Sequence, residues 1–173
     1  RIPKTMIEKN IELLKKFEGF RSEAYICSGG EVTLGYGCLY DTNYKKFKLG
    51  DTITQEEAEQ LLLFHVAEFE KPLNIALKDI PLPQNCKDAI TILVYNIGIT
   101  AFLKSTLYKE IQKDKNNLEA IKKQWLRWCY ANGKKLKGLE NRRKKEFNLY
   151  KQGVLGQYTK TEIYDKYHKC NLK

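Results

Sequence analysis

Histidine and closely spaced cysteine are scarce in this 173-residue sequence. Only His65 and His168 could offer imidazole, and Cys27, Cys38, Cys86, Cys129 and Cys170 stand far apart with no C-x-x-C pair. A structural zinc site needs several such ligands at short spacings, so no metal and no other cofactor is expected. An odd number of thiols leaves at least one unpaired within the chain, and a dense disulfide framework is not indicated. Long apolar runs are missing too. "LLLFHVAEF", from Leu61, is broken by His65 and Glu68 and falls short of the roughly 20 residues that cross a bilayer. No signal peptide is visible. The chain begins at Arg1 rather than Met, so an upstream segment could have been removed and the missing export signal carries little weight. There is no internal repeat. Basic and aromatic residues do not interleave as nucleic-acid-binding surfaces require, so nucleic acid is not an expected partner.

What is present is enough for one folded domain. The composition is 42% hydrophobic, which supports a core and is not that of a disordered chain. The net charge of +10 points to a polyanionic partner or a basic soluble surface, and charge alone does not choose among nucleic acid, anionic lipid and bacterial wall. The lysines gather in "KKLK", "RRKK" and the "KTEIYDKYHK" tail.

Ile7, Ile11 and Leu14 recur at helical spacing, predicting an amphipathic helix over 5–18, opened by a Thr5–Glu8 capping box and stopped at Gly19. Residues 23–40 are rich in strand formers, and Ser28-Gly29-Gly30-Glu31 reads as a turn between two or three short antiparallel strands. Gly35 and Gly37 bracket Tyr36, marking a bend or a close approach of backbone. Beyond residue 52 the period is helical throughout. Thr54 and Glu57 form a second capping box opening a helix to about Glu70, and Pro72, Pro81 and Pro83 set off a shorter segment at 73–78. "DAITILVYNIG", from Asp88, reads as a buried central helix ended by Gly98, followed by helices at 105–113, 118–129 and 141–152. The expected fold is therefore α+β: a small lobe with a helix and short sheet (about 19–50), a helical lobe (about 52–157), a ligand cleft between them, and a polar tail at 158–173.

Glu18 lies four residues after Leu14 and seven after Ile11, on the apolar stripe of the first helix. A carboxylate at the edge of such a stripe loses hydration, which raises its pKa and suits it to general-acid work. The competing reading is a helix-terminal acid paired with Arg21.

The surroundings of Glu18 are specific. It is followed after eight residues by Cys27, after five more by Thr33, and at once by Leu-Gly-Tyr-Gly. This pattern resembles that of the phage-type lysozymes, or endolysins (glycoside hydrolase family 24). "NIGITAFLKSTLYKEI" from Asn96 and "WCYANGKKLKGLENRRKKE" from Trp128 resemble two further segments of that family in the right order. The resemblance runs from about residue 6 to 152. It implies a lysozyme-like fold and a muramidase that hydrolyses the β-1,4 bond between N-acetylmuramic acid and N-acetylglucosamine in peptidoglycan. It further implies a monomer made in the bacterial host cytoplasm and acting in the periplasm or cell wall, with anionic wall polymers or lipopolysaccharide as further contacts. Glu18 would protonate the leaving oxygen, while Cys27 and Thr33 would hold or activate the attacking water.

Two positions depart from the family pattern. Cys27 stands where the family usually has Asp, and a neutral thiol supports a cationic transition state poorly. The alternative is therefore a peptidoglycan-binding module that keeps the fold and has lost the chemistry. Cys38 follows Gly-Tyr-Gly where relatives often carry His or Arg, and a Cys27–Cys38 disulfide would act as a redox switch. Tyr36 could stack on sugar or pack the small lobe. Asn96 could reach substrate or cap its helix. Ser105 could contact saccharide or cap the next helix. Trp125 and Trp128, three apart, are expected to share a core-facing side. Arg142 or Arg143 is expected to pair with Glu146 or another acidic neighbour, and His65 to be a satisfied core histidine.

Overall fold

The computed structural model describes residue 6 and residues 8–158. The expected cap at Thr5, the stripe residue Ile7 and the tail beyond residue 158 lie outside the described residues. Two compact units divide the chain after Pro72.

The first unit opens with α1 (Glu8–Glu18), then β1 (Arg21–Ile26) and β2 (Val32–Gly35), which pair antiparallel with Tyr25 opposite Thr33 and Ile26 opposite Val32. The turn between the strands is closed by Gly30 N–H donating to Cys27 O at 2.9 Å. Beyond β2 the chain reverses at once: Leu34 and Cys38 exchange both backbone hydrogen bonds, at 2.9 and 3.0 Å. The long helix α2 (Gln55–Leu77) starts as its sequence dictates. Thr54 Oγ1 accepts from Glu57 N–H, and Glu57 Oε2 accepts from Thr54 N–H, at 3.2 and 2.9 Å, so each side chain satisfies the other's orphan donor. Lys15 ties α1 to α2, with Nζ 2.6 Å from Glu59 and 3.0 Å from Glu12. These carboxylates raise the Lys15 pKa. His65 is satisfied as expected, its Nε2 lying 2.8 Å from Tyr40 O.

Pro72 does not end α2, and the separate segment expected at 73–78 is the last turn of that helix. Proline removes one N–H from the ladder, yet its fixed φ suits a helix. Leu73 and Leu77 on the following turn are buried, and their burial offsets the lost bond.

In the second unit α3 (Gln84–Ile97) is the central helix, buried continuously from Asp88 to Val94. Gly98, at φ +87°, stops it, and its N–H returns to Val94 O at 2.8 Å. A short α4 (Ile99–Leu103) follows, then α5 (Thr106–Lys113), α6 (Leu118–Trp125) and α7 (Lys137–Leu155). α7 packs along α3, and Gly153 lets the two helices come close: a Cβ there would lie 2.6 Å from Cys86 Sγ. Trp125 is buried against Phe147 and Tyr150, with ring centroids 6.3 and 5.5 Å away.

Helical period does not hold throughout this unit. α6 ends at Trp125, so Trp128 lies in the turns beyond it and shares no helical face with Trp125. A two-stranded hairpin follows, β3 (Tyr130–Ala131) against β4 (Lys134–Lys135). Its turn residues Asn132 and Gly133 both have positive φ, +51° and +75°, as the tight hairpin turn requires. Among the described residues no helix is long and apolar enough to cross a membrane.

Candidate active site

α1 delivers Glu18 as its last residue. Gly19, at φ +68°, caps the helix by donating its N–H to Lys15 O at 2.9 Å, so the chain leaves just after the carboxylate. Glu18 is half-buried, and its Oε1 is screened from solvent. The group it faces across the turn is Gly37. A Cβ built on Gly37 would lie 3.1 Å from Glu18 Oε2.

The Gly-Tyr-Gly stretch supports that contact one residue at a time. Gly35 lets β2 come down on α2, where a Cβ would sit 3.1 Å from Ala58 Cβ. Tyr36 turns inward and is 3% exposed. Its ring packs on Phe20 (centroids 5.6 Å apart) and under Lys15 Nζ (5.7 Å), and its hydroxyl accepts from Gln55 Nε2 at 3.4 Å. Gly37 then presents bare backbone, at φ +75°, to the carboxylate. Of the two readings of Tyr36, the structure favours packing over an exposed ring face for sugar.

Cys27 follows β1 directly. Its N–H donates to Glu31 O at 2.9 Å, which continues the strand register by one pair, and its thiol is free and half-exposed. Thr33, 4% exposed, faces Tyr25 across the sheet and donates its hydroxyl to Tyr25 O at 3.5 Å. Alternation along the two strands puts Cys27 and Thr33 on one face as diagonal neighbours, about 7–8 Å apart. Cys38 is buried and is not in a disulfide. It pairs with Leu34, three residues along β2 from the partner of Cys27. At strand pitch that is about 10 Å, more than a disulfide spans, so the hairpin register speaks against the Cys27–Cys38 switch.

The other expected contacts lie in the second unit. Asn96 is exposed on the last turn of α3, and its Oδ1 accepts from Arg143 Nη2 at 2.5 Å. Arg143 is fully buried, with Nε 3.1 Å from Glu146 Oε1. Arg142 Nε reaches Glu146 Oε2 at 3.1 Å, and Trp125 Nε1 donates to Glu146 Oε1 at 3.2 Å. Burial pushes the Glu146 carboxyl up, and both guanidinium groups pull it back. The pairing of Arg142 and Arg143 with Glu146 was legible from their spacings of four and three. The extension through Arg143 to Asn96 had no local signal. Ser105 is the N-cap of α5: Oγ accepts from Tyr108 N–H at 3.0 Å and donates to Phe102 O at 2.5 Å, which commits its hydroxyl to the corner between α4 and α5.

Comparison with known proteins shows the family and the fold. The family model described as phage lysozyme matches residues 15–146. An endolysin of Acyrthosiphon pisum secondary endosymbiont phage 1 is 42% identical over 83% of this chain and 95% of its own length. The chain spans only about half of two Bacillus phage endolysins, 55% and 54% of their lengths. Among solved structures, the endolysin from Escherichia coli O157:H7 phage FAHEc1 superposes with a TM-score of 0.75 at 36% identity, covering 90% of this chain and 96% of that one. The muramidase domain of SpmX from Asticaccaulis excentricus gives a TM-score of 0.71 at 28% identity, over 84% and 96%. The α+β fold is lysozyme-like.

Proposed function

Because the chain belongs to the phage lysozyme family, we propose that it is a lysozyme-type glycoside hydrolase that acts on bacterial peptidoglycan and lyses the cell wall. The bond cut is the β-1,4 linkage from N-acetylmuramic acid to N-acetylglucosamine. The observation that carries this reading is the seating of Glu18 at the end of α1 against the bare backbone of Gly37.

Hydrolysis of a glycoside needs a proton for the departing oxygen and a nucleophile for the anomeric carbon, through a transition state with oxocarbenium character. Glu18 supplies the proton. Its position at a helix end, partly screened from water, keeps the transfer short and directional. Water is the nucleophile. Thr33 directs its own hydroxyl proton to Tyr25 O, which leaves an oxygen lone pair to accept a hydrogen bond from that water. Cys27, on the same face, orients the water, and as a thiolate it takes the water's proton. Asn96, in the second unit, contributes a sugar contact of its own. With Oδ1 held by Arg143, its exposed NH2 is the end left to donate to a sugar carbonyl. Tyr36 and Ser105 act through the backbone they hold. Lys122, Lys123, Lys134 and Lys137 are exposed, and their charge suits contact with anionic wall polymers.

The test is release of reducing ends from purified peptidoglycan. Glu18→Gln keeps the shape and loses the proton, and the rate should fall by about 10²-fold or more while wall binding persists. Undiminished hydrolysis by that variant overturns the assignment. Wall binding by the unaltered chain without any release would identify it as a binding module.

A further inference from the structure

We infer that Gly37 is a positioning residue for Glu18: the missing side chain at this one position sets where the carboxyl group rests. The inference builds on the reading of Glu18 as the acid, and extends it to a residue that carries no functional group of its own.

The geometry is specific to this glycine. Gly19, Gly30, Gly50, Gly98 and Gly133 also have positive φ, and a Cβ on any of them would meet nothing within 4 Å. At Gly37 the same atom would come to 3.1 Å from Glu18 Oε2 and 4.0 Å from its carboxyl carbon. Something would have to give, and the backbone of Gly37 is the less yielding side. On one flank Tyr36 is fixed by Phe20, Gln55 and Lys15, the last held in turn by Glu59 and Glu12. On the other flank Cys38 is bonded twice to Leu34. Two residues back, Gly35 runs so close to α2 that a Cβ there would lie 3.1 Å from Ala58 Cβ. The contact falls on the far end of the Glu18 side chain, which can turn about its own bonds, so a methyl group at position 37 displaces the carboxyl by a few tenths of an ångström. Proton transfer to a bound glycosidic oxygen depends steeply on that distance, and about 1 Å of misplacement can cost on the order of 100-fold in rate.

Gly133 provides the control, since it shares φ +75° with Gly37 and opens onto empty space. Gly37→Ala and Gly133→Ala therefore carry similar backbone strain, and only the first touches the acid. On solubilised peptidoglycan, Gly37→Ala should lose about 10-fold or more in kcat with KM changed less than about two-fold, while Gly133→Ala stays within about two-fold in both. In protein carrying ¹³C at glutamate carboxyl carbons, the Glu18 resonance, assigned by its loss in Glu18→Gln, should move in Gly37→Ala and not in Gly133→Ala. If Gly37→Ala does not fold, Gly37→Asn against Gly133→Asn reads the same difference in kcat, because asparagine tolerates positive φ and carries the same Cβ. Equal rate losses in the two members of a pair overturn the inference, as does a rate loss with an unmoved Glu18 resonance. If Glu18→Gln itself keeps full activity, the acid assignment has failed; a moved resonance in Gly37→Ala would then show that the contact exists without serving catalysis.

Discussion

Gly153 gives the sharpest test of how α7 lies on α3. Two effects oppose each other in Gly153→Ala. Inside a helix, alanine is favoured over glycine by about 1 kcal/mol. Against this, the new methyl would sit 2.6 Å from Cys86 Sγ, 2.8 Å from Cys86 N and 3.2 Å from Asn85 Cβ. Apolar contacts are comfortable at about 3.5–4.0 Å, so the overlaps approach an ångström. The sulfur cannot swing away freely, because Cys86 is fully buried and its Sγ–H donates to Tyr150 O at 3.3 Å. The nitrogen is backbone and moves only with α3. Overpacking of this kind costs about 1–3 kcal/mol, and a backbone contact belongs at the upper end. The net expectation is destabilisation by about 2 kcal/mol, after the helix gain is subtracted. For a domain of this size that lowers Tm by roughly 4–8 °C. Thermal unfolding followed by circular dichroism, with a urea titration for the midpoint, measures it. In a Cys86→Ala background the sulfur overlap disappears, so the penalty for Gly153→Ala should shrink without vanishing. A Tm for Gly153→Ala equal to or above that of the parent would show that α3 and α7 are not in the contact described here.

Two further outcomes follow from single side chains. Cys27→Ser should reduce peptidoglycan hydrolysis by about 10-fold or more. Cys86→Ser should leave the rate nearly unchanged, because burial pushes the Cys86 thiol up to about 12 and removes it from chemistry; equal small losses at the two positions would contradict the role given to Cys27. At the start of α2, the Thr54 N–H and hydroxyl hold the Glu57 carboxyl below its ordinary value, so the folded state favours the charged form. This contribution is present above the ordinary glutamate pKa and disappears as pH falls through the lowered one. Glu57→Ala should accordingly melt below the parent at neutral pH, with the two curves converging in acid; a gap that persists unchanged in acid would rule out the capping bond as its source.

Much of the molecule could be read from short-range rules. The box at Thr54 and Glu57 needs only four consecutive residues and the orphan N–H groups of a helix start, and it forms as written. Gly98 stops α3 because glycine alone adopts its backbone angle without strain, and the unbroken apolar run before it called for a buried helix. The approach of Arg142 and Arg143 to Glu146 is helical spacing. Short-range rules also misled. Pro72 looked like a break and is carried inside α2, since the burial of Leu73 and Leu77 outweighs one missing hydrogen bond. Asn132-Gly133 was a hairpin signal in plain view, masked because the residues around it also fit a helical period.

The sequence by itself determined most of the helices and the first hairpin, the ordering of Glu18, Cys27 and Thr33 along one helix and that hairpin, and the family to which the pattern belongs. Tertiary structure alone decided what each of these groups touches: Gly37 against Glu18, Arg143 against Asn96 and Cys86 against Gly153. The physical reason is range. Caps, turns and periodicity arise from bonds within about four residues and are written locally, whereas these contacts join residues far apart in the chain and exist only once the surrounding side chains have packed to leave one place for each.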